Sequence, residues 1–185
     1  LIASAMDTCN AVRDGKCLRY RKEWQEYGFG KRDFTTAFEG RILKMSEDLK
    51  KSSIDDSKWS VTQGDSRTHL TELRSAGFRL FVTSPPYLNS FDYSDIYRPE
   101  MFLGKFVTSS YDLRALRFKT LRSHVQVEWA DPVVDSFGAL YKACASRIRD
   151  RQSQLWNPRI PLMIQAYFED MSHIFRRLHK VAASE

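Results

Sequence analysis

Leu80-Phe81-Val82-Thr83-Ser84-Pro85-Pro86-Tyr87-Leu88-Asn89 is the stretch on which the reading of the chain turns. The apolar run predicts a buried strand over Phe78 to Thr83, and that strand ends abruptly in two prolines and an aromatic tip. Each proline fixes its own φ, lacks a backbone N–H and restricts the residue before it. The corner therefore presents the carbonyl oxygens of Ser84 and Pro85 without a competing donor. A Ser84 hydroxyl beside such a carbonyl suits the two hydrogens of an exocyclic amino group, and the Tyr87 ring offers a flat face to a nucleobase. The competing readings are an ordinary surface turn and a polyproline ligand for an aromatic-grooved adaptor. Such ligands sit in polar stretches, whereas this corner is fused to Phe78, Leu80, Phe81 and Val82.

Upstream, Trp59 to Gln63 alternates as a strand and ends at Gly64-Asp65, and Thr68 to Ser75 reads as a short helix. A carboxylate at the C-terminal edge of a strand in an open α/β sheet lies where ligands bind, so Asp65 suits an adenine amino group. It suits equally well the cap of the following helix, alone or alongside Ser66 and Thr68. Downstream, Phe91 to Arg98 is rich in aromatic and acidic residues. Tyr97 and Phe102 are expected in the core.

Taken in order, Gly64-Asp65-Ser66-Arg67, then Thr83-Ser84-Pro85-Pro86-Tyr87 at a strand end, then Asn89 and Asp92-Tyr93, the chain resembles the DNA amino-methyltransferases, which methylate cytosine N4 or adenine N6. The resemblance implies S-adenosylmethionine as cofactor, held at Asp65 and Ser66, with Ser84, Pro85, Pro86 and Tyr87 as the catalytic corner. It implies Asn89, Asp92 and Tyr93 beside the target base, and double-stranded DNA as the partner, with the base flipped out. A corner beginning with Ser is more typical of cytosine-N4 enzymes, and Asp or Asn there of adenine enzymes. The implied fold is α/β, a partial doubly wound, Rossmann-like sheet flanked by helices. Residues 1–104 are then a partial catalytic core, 105–159 a helical insertion or target-recognition region, and 160–185 a helix returning to the core.

The chemistry expected of the corner follows from the weakness of an aromatic amine as a nucleophile. Ser84 Oγ and the Pro85 carbonyl would draw the amino group toward tetrahedral geometry, in line with the sulfonium methyl, through orientation and preorganised electrostatics. A paired base must first leave the stack, and Tyr87 would hold it by its π-face. Two further readings stay open: a non-catalytic nucleic-acid-binding or assembly module on the same fold, and an RNA methyltransferase.

The Phe-x-Gly-x-Gly loop of such enzymes does not occur in the sequence. Gly28-Phe29-Gly30 is the nearest lookalike, but no apolar strand precedes it and Lys31-Arg32-Asp33 is not expected to open a helix. The expectation is a middle piece of a longer polypeptide, or a half completed by a partner subunit, that alone binds S-adenosylmethionine poorly.

In the rest of the chain, helices are expected from Leu1 to Met6 and from Thr35 to Lys51, where Phe38, Ile42, Met45 and Leu49 share one face and are expected to pack in the core. Arg19 to Arg32 mixes basic residues with Tyr20, Trp24, Tyr27 and Phe29, as either a phosphate-touching, base-stacking stretch or a solvated connector. Helices are also expected near Asp112 to Leu121 and Phe137 to Leu155, with arginines that face nucleic acid or solvent. Behind Pro158 and Pro161, residues Ile160 to Leu178 step along one helical face as a crossover helix against the sheet.

The 185 residues suit one domain, and an apolar share of 42% is enough for a core. Lys and Arg exceed Asp and Glu by 29 to 23, and this charge of +6 is consistent with a polyanionic partner. Three scattered cysteines fit a reduced, cytoplasmic setting. The four histidines are dispersed; His173 and His179, six apart, are not expected to share a helical face, and no metal site is expected. The short apolar runs predict neither a membrane span nor a signal peptide.

Overall fold

The computed structural model describes residues 1–14, 17–52, 59–73, 77–88 and 91–183. They fall into two compact units, one of Leu1–Thr62 and Tyr93–Leu113, the other of Gln63–Asp92 and Arg114–Glu185. Helices dominate, and the described residues contain a single antiparallel two-stranded sheet.

In the first unit, α1 (Ile2–Asp7) packs on α2 (Lys31–Lys51) and α5 (Arg98–Leu103). The strands β1 (Ala11–Asp14) and β2 (Cys17–Tyr20) pair with Ala11 opposite Tyr20, and α4 (Tyr93–Ile96) lies on β2 and α5. Ser4, Ile96 and Val107 form the buried centre. The α2 helix begins four residues earlier than its apolar pattern predicts. Gly30 is its N-cap, and the Asp33 carboxylate reaches back to accept the Gly30 N–H at 2.8 Å, the half of a capping box that a glycine N-cap permits. Gly30 is thus a helix-capping residue. The first turn of α6 (Ser110–Lys119) is fixed similarly. Asp112 accepts from the N–H groups of Thr108 and Ser109, and the Asp112 N–H donates to Ser109 Oγ.

Several expectations for this unit do not hold. The α2 face of Ile42, Met45 and Leu49 is exposed, with Met45 61% accessible, because no described element covers it. Tyr97 is half exposed beneath the Arg13 guanidinium, 4.8 Å from its ring, and Arg13 also pairs with Glu100. Phe102 is likewise exposed. The aromatic rings between Arg19 and Arg32 stack on one another, Tyr20 on Trp24 and Tyr27 on Phe29. Trp59 to Gln63 forms no strand.

The second unit is organised by α8 (Ile160–Val181), which packs against α3 (Ser66–His69) and α7 (Ala139–Arg149). Met163, Met171 and Ile174 of the expected apolar face are buried, as are Ala166 and Val181 outside it, whereas Phe175 of that face is exposed. Of the expected strand Phe78 to Thr83, only Phe78 is paired. It bridges in parallel to Ala182, and the Ala183 N–H donates to the Phe78 carbonyl at 3.0 Å. The chain therefore leaves Phe78 and returns beside it in the same direction after α8. A parallel pairing requires such a crossover. Leu80 and Val82 are 77% and 90% exposed rather than buried, since no described strand flanks them. The helix expected from Thr68 to Ser75 is displaced to Ser66–His69, where Asp65 caps it; residues 74–76 lie outside the described residues.

Candidate functional site

The corner is held from behind by α8. Tyr167 donates its hydroxyl to the Pro86 carbonyl at 3.0 Å, and burial pushes the Tyr167 phenol above its usual pKa, so it remains a donor. Pro85 and Pro86 are half-buried, Ser84 is exposed, and the Tyr87 ring is 69% exposed. The outward side of the corner thus carries a hydroxyl and an aromatic face, and its inward side is anchored by one hydrogen bond.

Asp65 is fastened to the same helix by a different route. Its carboxylate accepts the Arg67 N–H at 2.9 Å as the α3 cap and also pairs with the Arg67 guanidinium at 2.7 Å. That guanidinium holds the Asp65 carboxyl below its usual pKa, against a weaker opposing effect of burial. Arg67 in turn reaches Asp170 of α8 at 3.5 Å and the Lys119 carbonyl at 2.8 Å. Tyr167 and Asp170 are three residues apart and therefore neighbours on one helical face. One turn of α8 thus anchors both the proline corner and Asp65. Of the two roles that the sequence allows Asp65, the structure displays the cap.

Asp170 belongs to a buried charge web. Arg122 donates to Glu169 at 2.6 Å and to Asp170 at 2.8 Å, and the Arg122 N–H also reaches Asp170 at 3.1 Å. Glu169 Oε1 accepts the Val133 and Val134 N–H groups at 2.9 and 2.8 Å. Burial works against the Glu169 charge, but these N–H groups and Arg122 outweigh it and hold the carboxyl below its usual pKa. Both carboxylates are therefore satisfied, as buried charges must be. The web ties residues 122–134 to α8 beside the anchor of the corner.

The other expected residues are distributed as follows. Asp92 is buried and paired with Arg117 at 2.7 Å, near His124, itself buried. Ser66 is the exposed first residue of α3. Tyr93 begins α4 in the first unit, and Asn89 lies outside the described residues. The structure therefore gathers Asp65 and Pro86 on α8 and adds Tyr167, Arg67 and Asp170, none of which the sequence marks as functional. Their local signals are the place of Arg67 in the Gly64-Asp65-Ser66-Arg67 stretch and the i, i+3 spacing of Tyr167 and Asp170.

Pro85 also lines an open hollow of about 640 Å³, whose other lining is mainly Phe137, Tyr167, Phe168, Met171 and Phe175 of this unit and includes Arg176 and His179. Tyr141, Phe137 and Phe168 pack ring to ring at 4.9–5.8 Å and stiffen this wall.

No family model, curated protein or solved structure matches the chain. Among the described residues, no helix is long and apolar enough to cross a membrane.

Proposed function

We propose that the chain is part of an S-adenosylmethionine-dependent amino-methyltransferase that acts on a base flipped out of double-stranded DNA, cytosine N4 before adenine N6. The observation that carries the reading is the corner itself. Ser84 and Tyr87 face outward, and the neighbouring Pro86 carbonyl, which accepts from Tyr167, anchors the corner from behind. A corner anchored from behind, with Ser84 Oγ and the Pro85 carbonyl as acceptors beside an exposed aromatic face, suits an amino group on a flat ring, and preorganisation lets such acceptors act without moving at the moment of reaction. The parallel bridge from Phe78 to Ala182 supports a doubly wound, Rossmann-like sheet, since strand, crossover helix and parallel neighbour are the unit from which such sheets are built. In that architecture ligands bind beyond the C-terminal ends of the strands, and the corner follows Phe78 in that direction along the chain.

In the proposed reaction, Ser84 Oγ and the Pro85 carbonyl accept the two amino hydrogens and Tyr87 stacks on the ring. S-adenosylmethionine would supply the methyl group to the nitrogen so held, leaving as S-adenosylhomocysteine, and the proton lost from nitrogen would pass to solvent. S-adenosylmethionine would lie toward Asp65 and Ser66. The glycine loop would come from elsewhere in the polypeptide or from a partner subunit, and the setting would be cytoplasmic. The test is transfer of labelled methyl groups from S-adenosylmethionine to DNA by the full-length polypeptide as encoded. Ser84→Ala and Tyr87→Ala should each lower transfer by about 10²-fold or more, the scale of losing one preorganised contact. Unchanged transfer in both variants would remove the corner from the mechanism.

A further inference from the structure

The end of α8 carries His173, Phe175, Arg176, Arg177, His179 and Lys180 within eight residues and no acid among them. These side chains, without Phe175, line a second hollow of about 400 Å³ together with Arg67. His173 and His179, six residues apart, both border this cavity. Arg67 is committed to Asp65 and Asp170. Among the described residues, however, no ion pair engages Arg176, Arg177 or Lys180.

A helix C-terminus welcomes cations, but that effect calls for neither a concavity nor an apolar ring among the charges. Both are present. Phe175 is 53% exposed between the basic residues, and it lines the aromatic hollow described above. The two hollows share Arg176 and His179. An aromatic-walled space thus adjoins a cationic one at Arg176 and His179, and each is large enough for a small ligand. Planar rings stack on exposed aromatic side chains, while Arg and Lys take phosphate oxygens.

From this juxtaposition we infer a nucleotide-binding site at the end of α8, with the base in the aromatic hollow against Phe175 and the phosphate in the basic hollow at Arg176, Arg177 and Lys180. The inference uses neither Ser84 nor Tyr87 and no methyl transfer, so a protein that transfers no methyl group would leave it standing.

Titration calorimetry of the full polypeptide tests it, with CMP, cytidine, inorganic phosphate, polyglutamate and a single-stranded oligonucleotide as probes. CMP should bind about tenfold or more tighter than either cytidine or phosphate, because only CMP fills both hollows. Phe175→Ala and Arg176→Gln should each weaken CMP by about tenfold. Both side chains are exposed, so unchanged circular dichroism should accompany the loss. An oligonucleotide that binds tighter than CMP and weakens steeply with salt assigns the site to a nucleic-acid strand; equal or weaker binding assigns it to a free nucleotide. Either result upholds a nucleotide site. Absence of CMP binding, equal affinity for phosphate or polyglutamate, or CMP affinity indifferent to both substitutions would overturn it.

Discussion

Arg122 meets two buried carboxylates at once and lies 47 and 48 residues from them in sequence. Its removal would leave Glu169 and Asp170 charged and under-compensated in a site that already disfavours charge. Arg122→Ala should therefore destabilise the fold by about 3–5 kcal/mol, the cost of breaking rather than replacing a buried pair. Chemical denaturation of the variant checks this, and a loss below about 1 kcal/mol would mean that the web is solvated like a surface pair. Such pairings are not legible in a sequence, because nothing local links Arg122 to α8 or Arg67 to Asp170. The corner is the opposite case. Its prolines, serine and tyrosine are contiguous, so its stiffness and acceptor character can be read directly, whereas Tyr167, 81 residues away, cannot.

At the scale of elements, legibility follows the strength of the local pattern. Helix α8 is legible from Ile160 onward because its apolar face repeats over its whole length and prolines mark its start. The period of α2 is equally plain, but its burial is not, since a stripe shows that a helix has an apolar side without showing what covers it. The structure leaves Ile42 and Met45 exposed, so Ile42→Lys combined with Met45→Lys should shift the unfolding free energy by no more than about 0.5 kcal/mol per site, as at other exposed positions. A loss of several kcal/mol in thermal or denaturant unfolding would restore the face to a core. The segment Phe78 to Thr83 has strand composition throughout, yet only Phe78 finds a neighbour, because a strand needs a partner as well as a propensity.

For the molecule as a whole, the titratable groups shifted by burial or by ion pairing set how stability responds to acid. Burial pushes the His124 pKa below its ordinary 6.5, with Asp92 opposing and Arg117 reinforcing that effect. As pH falls through about 6.5 the unfolded chain takes up a proton that the folded one refuses, so the contribution is complete above that pH and declines below it. Glu169 and Asp65 titrate below their ordinary 4.5 and 3.8. Their contribution is likewise full above those values and is lost as pH falls through the lower folded ones. Thermal unfolding from pH 8 to 3 should show Tm falling first below about 6.5 and again below about 4.5. In His124→Gln the upper step should disappear. A Tm that is flat between pH 7 and 5 in the parent would contradict the burial of His124 as a neutral group.

The proposed chemistry leaves a covalent record in its substrate. DNA incubated with S-adenosylmethionine and the full-length polypeptide, digested to nucleosides and weighed by mass spectrometry, should contain N4-methylcytosine, or N6-methyladenine if the Ser84 corner accepts the purine. Recovery of neither, from DNA of diverse sequence and with intact cofactor, would contradict the reading of the corner as an amino-group cradle.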